Sequence, residues 1–379
     1  MQTIEEPHTT AAGHHDVAFD PARHLAFEPP KERLTMSQLG LGDTPAPSGV
    51  AVTSPFSLAS PTGVRELRAS LLQPKCIAKH LVWNDLNGPH AQLRGMAPHT
   101  AKFIYDFWTH PETMRALCEA ANEELVPFYD YEIGSTNFQV PAGKERGQYI
   151  KSLSADPFAN AGRASAGNAQ SSASSEDTDD APPVVGFHRD AYPWVCVLML
   201  SDVSGMKGGE TALRMGSGEL FKARGPALGS AVMMQGGYIT HAALPAQAVP
   251  GASSERITMV TAFRKRDAFG WKDISNLGNI RTASNWNEIY AQWVVSRLEG
   301  IQEKAAGFQR VLEARRRYVQ QRYNDGFLQA PIITHDEVLR FKEELDEHLQ
   351  RALDEMKPYG DPTDLWTPRL PGVNSNASL

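Results

Sequence analysis

Two histidines, a carboxylate and an arginine stand at chemically meaningful spacings in the middle of this 379-residue chain. His188-Arg189-Asp190 comes first, His241 follows fifty-three residues after His188, and Arg256-Ile257-Thr258 begins fifteen residues later. Side chains on a strand repeat every second residue, so His188 and Asp190 share one side while Arg189 points to the other. By the same rule Arg256 and Thr258 share a face, and Ile257, Met259, Thr261 and Phe263 take the opposite one. Two imidazoles and one carboxylate make the facial triad that binds Fe(II) and leaves three positions open. A bidentate 2-oxo acid fills two of them and O2 takes the third. If that acid is dicarboxylic, its second carboxylate reaches deeper into the fold. There a permanently charged guanidinium fork suits it better than the point charge of a lysine.

An H-x-D tripeptide by itself is weak evidence, because a single histidine more often hydrogen-bonds within a core than ligates a metal. The ordered set of His188, Asp190, His241 and Arg256-x-Thr258 in an all-β context carries the weight. HRD also suggests a kinase catalytic loop, but that loop needs Asn five residues after its Asp, where this chain has Val195. Asp267-Ala268-Phe269-Gly270 is not D-F-G, and Gly216-x-Gly218 lacks the third glycine of a dinucleotide site. Tyr192 and Trp194 continue the alternation of the triad. Tyr192 is a candidate substrate contact, and Trp194 reads more simply as core packing that dries the site. Arg214, after Gly208-Gly209-Glu210-Thr211-Ala212-Leu213, is a second candidate substrate anchor, balanced against a structural ion pair.

The elements that must position these residues follow from the hydrophobic pattern. Short apolar runs punctuated by glycine (VVGFH, YPWVCVLML, ETALR, ELFKA, SAVMMQ, YITHAAL, RITMVTAF) predict an antiparallel sandwich or barrel. Upstream, YEIGSTNFQV and RGQYIKSL read as a pair of strands. A helix is expected from Thr109, with Thr109 and Glu112 as a capping box, an apolar stripe of Met114, Leu117, Cys118, Ala121 and Leu125, and Pro127 as its end. Past Arg266 the chain turns helical. One long helix from about Trp286 towards Tyr323 carries Ile289, Trp293, Leu298, Ile301, Ala305, Phe308 and Leu312. A second, capped by Thr334 and Glu337, carries Val338, Phe341, Leu345, Leu349, Leu353 and Met356 and stops at Pro358. The expected organisation is an extended, partly disordered arm over 1–60, a helical segment over 61–128, a catalytic β core over 129–270, and a helical region over 271–379. Within the core, the Ala/Ser/Asp-rich stretch 154–183 reads as a disordered insertion.

HRD, the GGET of Gly208–Thr211, His241 and the Arg256-x-Thr258 pair resemble the Fe(II)/2-oxoglutarate-dependent dioxygenase superfamily. The order YPWVCVLMLSD, KGGET, GELFKARGPALGSAVMM, His241 is similar to its prolyl-hydroxylase-like core, and within it to a fungal branch of small-molecule oxygenases. The resemblance covers about residues 129–266. It implies a double-stranded β-helix (jelly-roll) core flanked by N- and C-terminal helices, with His188, Asp190 and His241 holding Fe(II). It further implies that Arg256 binds the distal carboxylate of 2-oxoglutarate and that Thr258 donates a hydrogen bond to it. The implied activity is hydroxylation, desaturation or ring closure of a small substrate such as an amino acid or secondary metabolite, with O2 consumed and succinate and CO2 formed. A relative that halogenates has a small residue where Asp190 stands. Two other readings remain open: a prolyl-hydroxylase-like enzyme acting on a protein side chain, and a jelly-roll module that binds without catalysis. Two features depart from the family pattern. The gap from His241 to Arg256 is long, which a loop insertion at Pro250–Ser254 accounts for, and Gly236-Gly237 suggests a mobile edge before His241.

Composition excludes other classes. The 37 Lys+Arg against 44 Asp+Glu give a net charge of −7, and no basic cluster is large enough for a dedicated nucleic-acid binder. No apolar run is long enough to span a bilayer, and the polar first residues lack the order of a secretory signal. Three widely spaced cysteines make no disulfide framework, so a reducing, cytoplasmic setting is expected.

Overall fold

The computed structural model describes residues 17–82, 90–141, 143–158, 185–223, 225, 227–249, 254–322 and 331–356. The N-terminal part contains α1 (Pro21–His24), β1 (Arg33–Thr35), β2 (Val50–Thr53), β3 (Phe56–Ser57), α2 (Pro61–Leu71), α3 (Pro74–His80) and β4 (Leu81–Val82). Then come β5 (Ala91–Leu93), α4 (Lys102–Thr109), α5 (Pro111–Ala121), β6 (Leu125–Pro127), β7 (Ser135–Gln139) and α6 (Arg146–Ser152). The central strands are β8 (Val185–His188), β9 (Trp194–Met199), β10 (Met206–Gly208), β11 (Thr211–Arg214) and β12 (Leu220–Ala223). They continue with β13 (Ser230–Met234), β14 (His241–Ala243), β15 (Ala246–Ala248) and β16 (Arg256–Lys265), and two helices follow, α7 (Trp286–Arg322) and α8 (His335–Asp354).

The strands form a large antiparallel sheet, ordered β1-β2-β13-β9-β16-β7-β5-β4 with β3 and β6 paired beside it, and a four-stranded sheet ordered β12-β11-β14-β8. A two-stranded ribbon joins β10 to β15. Period-two alternation decides which face each residue of β16 meets. Ile257, Met259 and Phe263 enter the main apolar core. Arg256, Thr258, Val260 and Ala262 instead line a cavity whose walls come from both sheets. Helix α4 supplies much of the cover on the first side. Its Phe103, Ile104, Phe107 and Trp108 fall on one helical stripe and are buried, and Trp108 Nε1 donates to Met259 Sδ at 3.3 Å. No helix among the described residues is long and apolar enough to cross a membrane.

The structure differs from several sequence expectations for identifiable reasons. RGQYIKSL forms α6 rather than a strand, because the Glu145 carboxylate caps it by accepting from the backbone N–H of Gly147 and Gln148. Thr109 closes α4 by donating to the Tyr105 carbonyl, and His110 caps α5 in its place, with Pro111 in the first turn. Helix α5 ends at Asn122, which adopts the left-handed conformation, and Leu125 and Pro127 belong to a strand. Residues 17–60, expected as an arm, carry one helix and three strands. Strands β2 and β3 pair with β13, and the Arg33 guanidinium donates to the carbonyls of Ala120 and Glu119 at the end of α5. Of the expected insertion 154–183, residues 159–183 lie outside the described residues, as do Pro250–Ser253 and Pro358. Part of the long interval between His241 and Arg256 is occupied by β15.

The C-terminal helices pack as expected against each other and the β core, but on shifted faces. Phe308 and Phe341 stack with ring centroids 4.3 Å apart. Leu298, Val338, Leu349 and Leu353 are exposed, whereas Arg297, Lys304, His348 and Ala352 are buried. Thr334 and Glu337 form the expected capping box.

Candidate functional site

His188 is the last residue of β8 and His241 the first of β14, and they are directly paired across these antiparallel strands. Cross-strand partners lie close enough for their side chains to meet, and the two imidazole centroids are 4.4 Å apart. Asp190 sits just past the end of β8, where its backbone N–H donates to the Gly236 carbonyl. Its carboxylate lies between the rings, with Oδ1 3.5 Å from His188 Nε2 and Oδ2 3.7 Å from His241 Nε2. One ligand atom from each of the three residues can be chosen so that all lie within 4.8 Å of one another.

Both rings are oriented by the backbone. His188 Nδ1 meets the Gly186 carbonyl at 2.8 Å, and His241 Nδ1 meets the Ile239 carbonyl at 2.9 Å. A carbonyl only accepts, so each Nδ1 carries the proton and each Nε2 presents a lone pair to the shared centre. Asp190 Oδ2 is buried and has no hydrogen-bond partner among the described residues. A carboxylate with one orphaned oxygen, set against two imidazole nitrogens, is a donor set that fits a divalent metal.

The three groups are electrostatically coupled. Burial draws His188 down, but the Asp190 carboxylate more than offsets it and leaves the imidazole above its ordinary pKa. Burial opposes the charge on Asp190, yet the two imidazoles hold it below the usual carboxylate range. For His241, the more buried ring, desolvation wins and the pKa falls.

The cavity around this cluster has a volume of about 360 Å³. At one wall stand Arg256 and Thr258, with Asn137 and Gln139 on the neighbouring β7. Burial lowers the Arg256 pKa, and no carboxylate among the described residues offsets it. A second cation, Arg94, lines the same cavity but is paired with Glu132. The Tyr192 hydroxyl lies 2.5 Å from that of Tyr129 and is near enough to Glu132 to favour its charged form.

The structure thus gathers His188, Asp190, His241, Arg256, Thr258 and Tyr192 around one cavity. Arg214 is not among its lining residues. It is exposed at the end of β11, with its guanidinium 4.7 Å above the ring of Phe187, itself a lining residue. Trp194 is fully buried in the main core, away from the lining. Three functional candidates escape the sequence pattern: Arg94, Glu132 and Gly236. A Cβ on Gly236 would lie 1.7 Å from Asp190 Oδ2, so this glycine makes room for the carboxylate. The Gly236-Gly237 pair was the available signal, and its role is close approach rather than a loose edge.

No protein-family model and no curated protein matches the chain. Solved structures similar to it include an oxidoreductase of the 2OG-Fe(II) oxygenase family from Burkholderia pseudomallei, 12% identical with a TM-score of 0.28, covering 46% of this chain and 67% of that one. A prolyl-4-hydroxylase from Pseudomonas putida is 16% identical with a TM-score of 0.30, covering 55% and 88%. The non-heme alpha ketoglutarate dependent epimerase SnoN from nogalamycin biosynthesis is 13% identical with a TM-score of 0.31, covering 55% and 85%. At these values the functional reading rests on the side-chain geometry.

Proposed function

We propose that the chain is a non-haem Fe(II)- and 2-oxoglutarate-dependent oxygenase with a double-stranded β-helix core, acting on a small organic molecule such as an amino acid or secondary metabolite. The observation that carries this is the convergence of two backbone-oriented imidazole Nε2 atoms on the Asp190 carboxylate, whose buried Oδ2 has no hydrogen-bond partner among the described residues, in one cavity with a guanidinium that no carboxylate among the described residues neutralises. His188, Asp190 and His241 would hold the iron. When bound there, ferrous iron supplies the O2-activating redox chemistry that couples oxidative loss of CO2 from a 2-oxo acid to oxidation of a C–H bond.

The chain's own groups do the rest. Arg256 provides a forked, permanent cation for the distal carboxylate of 2-oxoglutarate, and Thr258, two residues along the same strand face, donates to the same group. That anchorage sets the depth at which the co-substrate's other end meets the three ligands. Val195, Val197, Val260, Ala262 and Met234 supply apolar wall between the polar groups and keep water from the reacting centre. The cavity volume is within the range of small-molecule sites, which favours a free small substrate.

Anaerobic addition of Fe(II) and 2-oxoglutarate is expected to give a visible metal-to-ligand charge-transfer band, and admission of O2 then yields succinate. Arg256→Ala should weaken 2-oxoglutarate binding by about a hundredfold or more, the cost of leaving one side of a buried ion pair unmatched. A wild-type protein with no band, or an Arg256→Ala variant with wild-type affinity, refutes the assignment. A binding module without catalysis gives neither the band nor succinate.

A further inference from the structure

The cavity holds two guanidinium groups, and their surroundings give them different tasks. Arg256 has no carboxylate partner among the described residues, whereas Arg94 is already paired with Glu132. A carboxylate with full charge therefore gains most at Arg256. Arg94 keeps spare hydrogen-bonding capacity instead. Its side chain is 7% exposed, one terminal nitrogen serves Glu132, and Nε is buried without a partner among the described residues. A guanidinium has five donors, and only one terminal nitrogen is engaged by Glu132, which leaves terminal N–H groups for a ligand in the cavity that Arg94 lines.

Glu132 is held in place beside Arg94. It is 5% exposed, and the Tyr192 hydroxyl, itself hydrogen-bonded to Tyr129, reaches towards it. Arg94 and Glu132 line the same cavity as Asp190, and Asp190 is near enough for its charge to act on Glu132. The dyad thus lies beside the metal ligands on a wall formed by β5 and the turn before β7, while Arg256 projects from the start of β16.

We propose that Arg94, held by Glu132, is a specificity-determining residue that binds a planar oxygen acceptor of the substrate, a carboxylate or an amide carbonyl, through a terminal N–H of the guanidinium. This rests on the reading of the cavity as an oxygenase site. It assigns the two cations to two ligands, Arg256 to the co-substrate and Arg94 to the molecule being oxidised. Because Glu132 has already matched its charge, Arg94 fixes where the acceptor sits and so which C–H bond faces the metal ligands.

The test uses isobutyrate and isobutyramide, which share an apolar body and differ in the acceptor, with the full chain in saturating 2-oxoglutarate. Ligand-observed NMR should detect binding of at least one probe to the wild type. Arg94→Lys keeps the charge beside Glu132 and removes the fork, so it should weaken that binding by about tenfold or more. The same variant should bind 2-oxoglutarate as the wild type does. In wild-type protein labelled with 15N-arginine, the probe should shift a buried guanidinium N–H resonance, a measurement that needs no variant to fold. Binding of isobutyrate but not the amide identifies the acceptor as a carboxylate, and the reverse identifies a carbonyl; either supports the proposal. No binding by either probe, equal binding by Arg94→Lys, or a stationary guanidinium N–H resonance overturns it. Failure of 2-oxoglutarate to bind while the probes still depend on Arg94 would count against the oxygenase reading and leave the dyad standing.

Discussion

At the scale of single residues, Gly236 bears directly on the candidate metal centre. Its carbonyl accepts from the Asp190 backbone, and its missing side chain leaves the space that Asp190 Oδ2 occupies. Gly236→Ala should rotate the carboxylate out of line with the two imidazoles and weaken binding of Co(II), a spectroscopic stand-in for Fe(II), by about tenfold or more. The thermal midpoint should move little by comparison, since Gly236 is not among the glycines with a positive φ. Unchanged Co(II) affinity would sink the idea. The cluster of candidate ligands was legible in the sequence because alternation along one strand is local: His188 and Asp190 are two residues apart, and so are Arg256 and Thr258. Gly236, Arg94 and Glu132 were not, because their relation to the site arises only when separate strands and turns meet.

At the scale of elements, the β core was legible and the helix faces only partly so. Seven strand segments were expected from apolar runs; β8, β9, β11, β12, β13 and β14 lie within them, and β16 extends two residues past its run. On α7, apolar periodicity pointed to Leu298 and Ala305, but the buried stripe runs through Arg297 and Lys304. Arg297 is neutralised by Asp273, and Lys304 by Glu344 together with the Ala268 and Trp271 carbonyls. A buried cation with partners from distant loops reads as a surface residue in sequence. The same logic governs His80 at the end of α3. Its Nδ1–H donates to the Arg94 carbonyl at 3.0 Å, and its Nε2 accepts from the Thr100 hydroxyl at 2.8 Å. Burial, assisted by Lys79, pushes its pKa from 6.5 down to about 4. As pH falls through that window the unfolded chain takes a proton that the folded chain refuses, so stability is present above pH 6.5 and drains away towards pH 4. Urea midpoints measured across this range should fall with pH. In His80→Asn the slope should flatten by up to about 1.4 kcal/mol per pH unit. A slope unaltered by the substitution would remove His80 from the explanation.

At the scale of the whole molecule, residues 17–60 complete the large sheet. On one side β13 is hydrogen-bonded to β9, and on the other it meets β2 and β3. A chain beginning at residue 61 would present the N–H and C=O groups of β13 to solvent and lose the buried Phe56 and Leu58 from the core. Size-exclusion chromatography of that truncation should show aggregated protein, and a monodisperse species of unchanged thermal midpoint would contradict this. The opposite end of the chain is coupled to the cavity as well. Helix α8 lines none of it, but just past its last turn the Glu355 carboxylate accepts from the Leu277 N–H, and Arg281 donates to the Glu355 carbonyl. Between those two points the Asn279 amide donates to the Arg189 carbonyl, one residue before Asp190, and Asn279 and Ile280 face the cavity. The C-terminal helices are therefore not an interchangeable appendage. Replacing them would remove the Glu355 contacts that brace the 277–281 loop, and Asn279 and Ile280 would shift at the cavity wall without one replacement inside the β core.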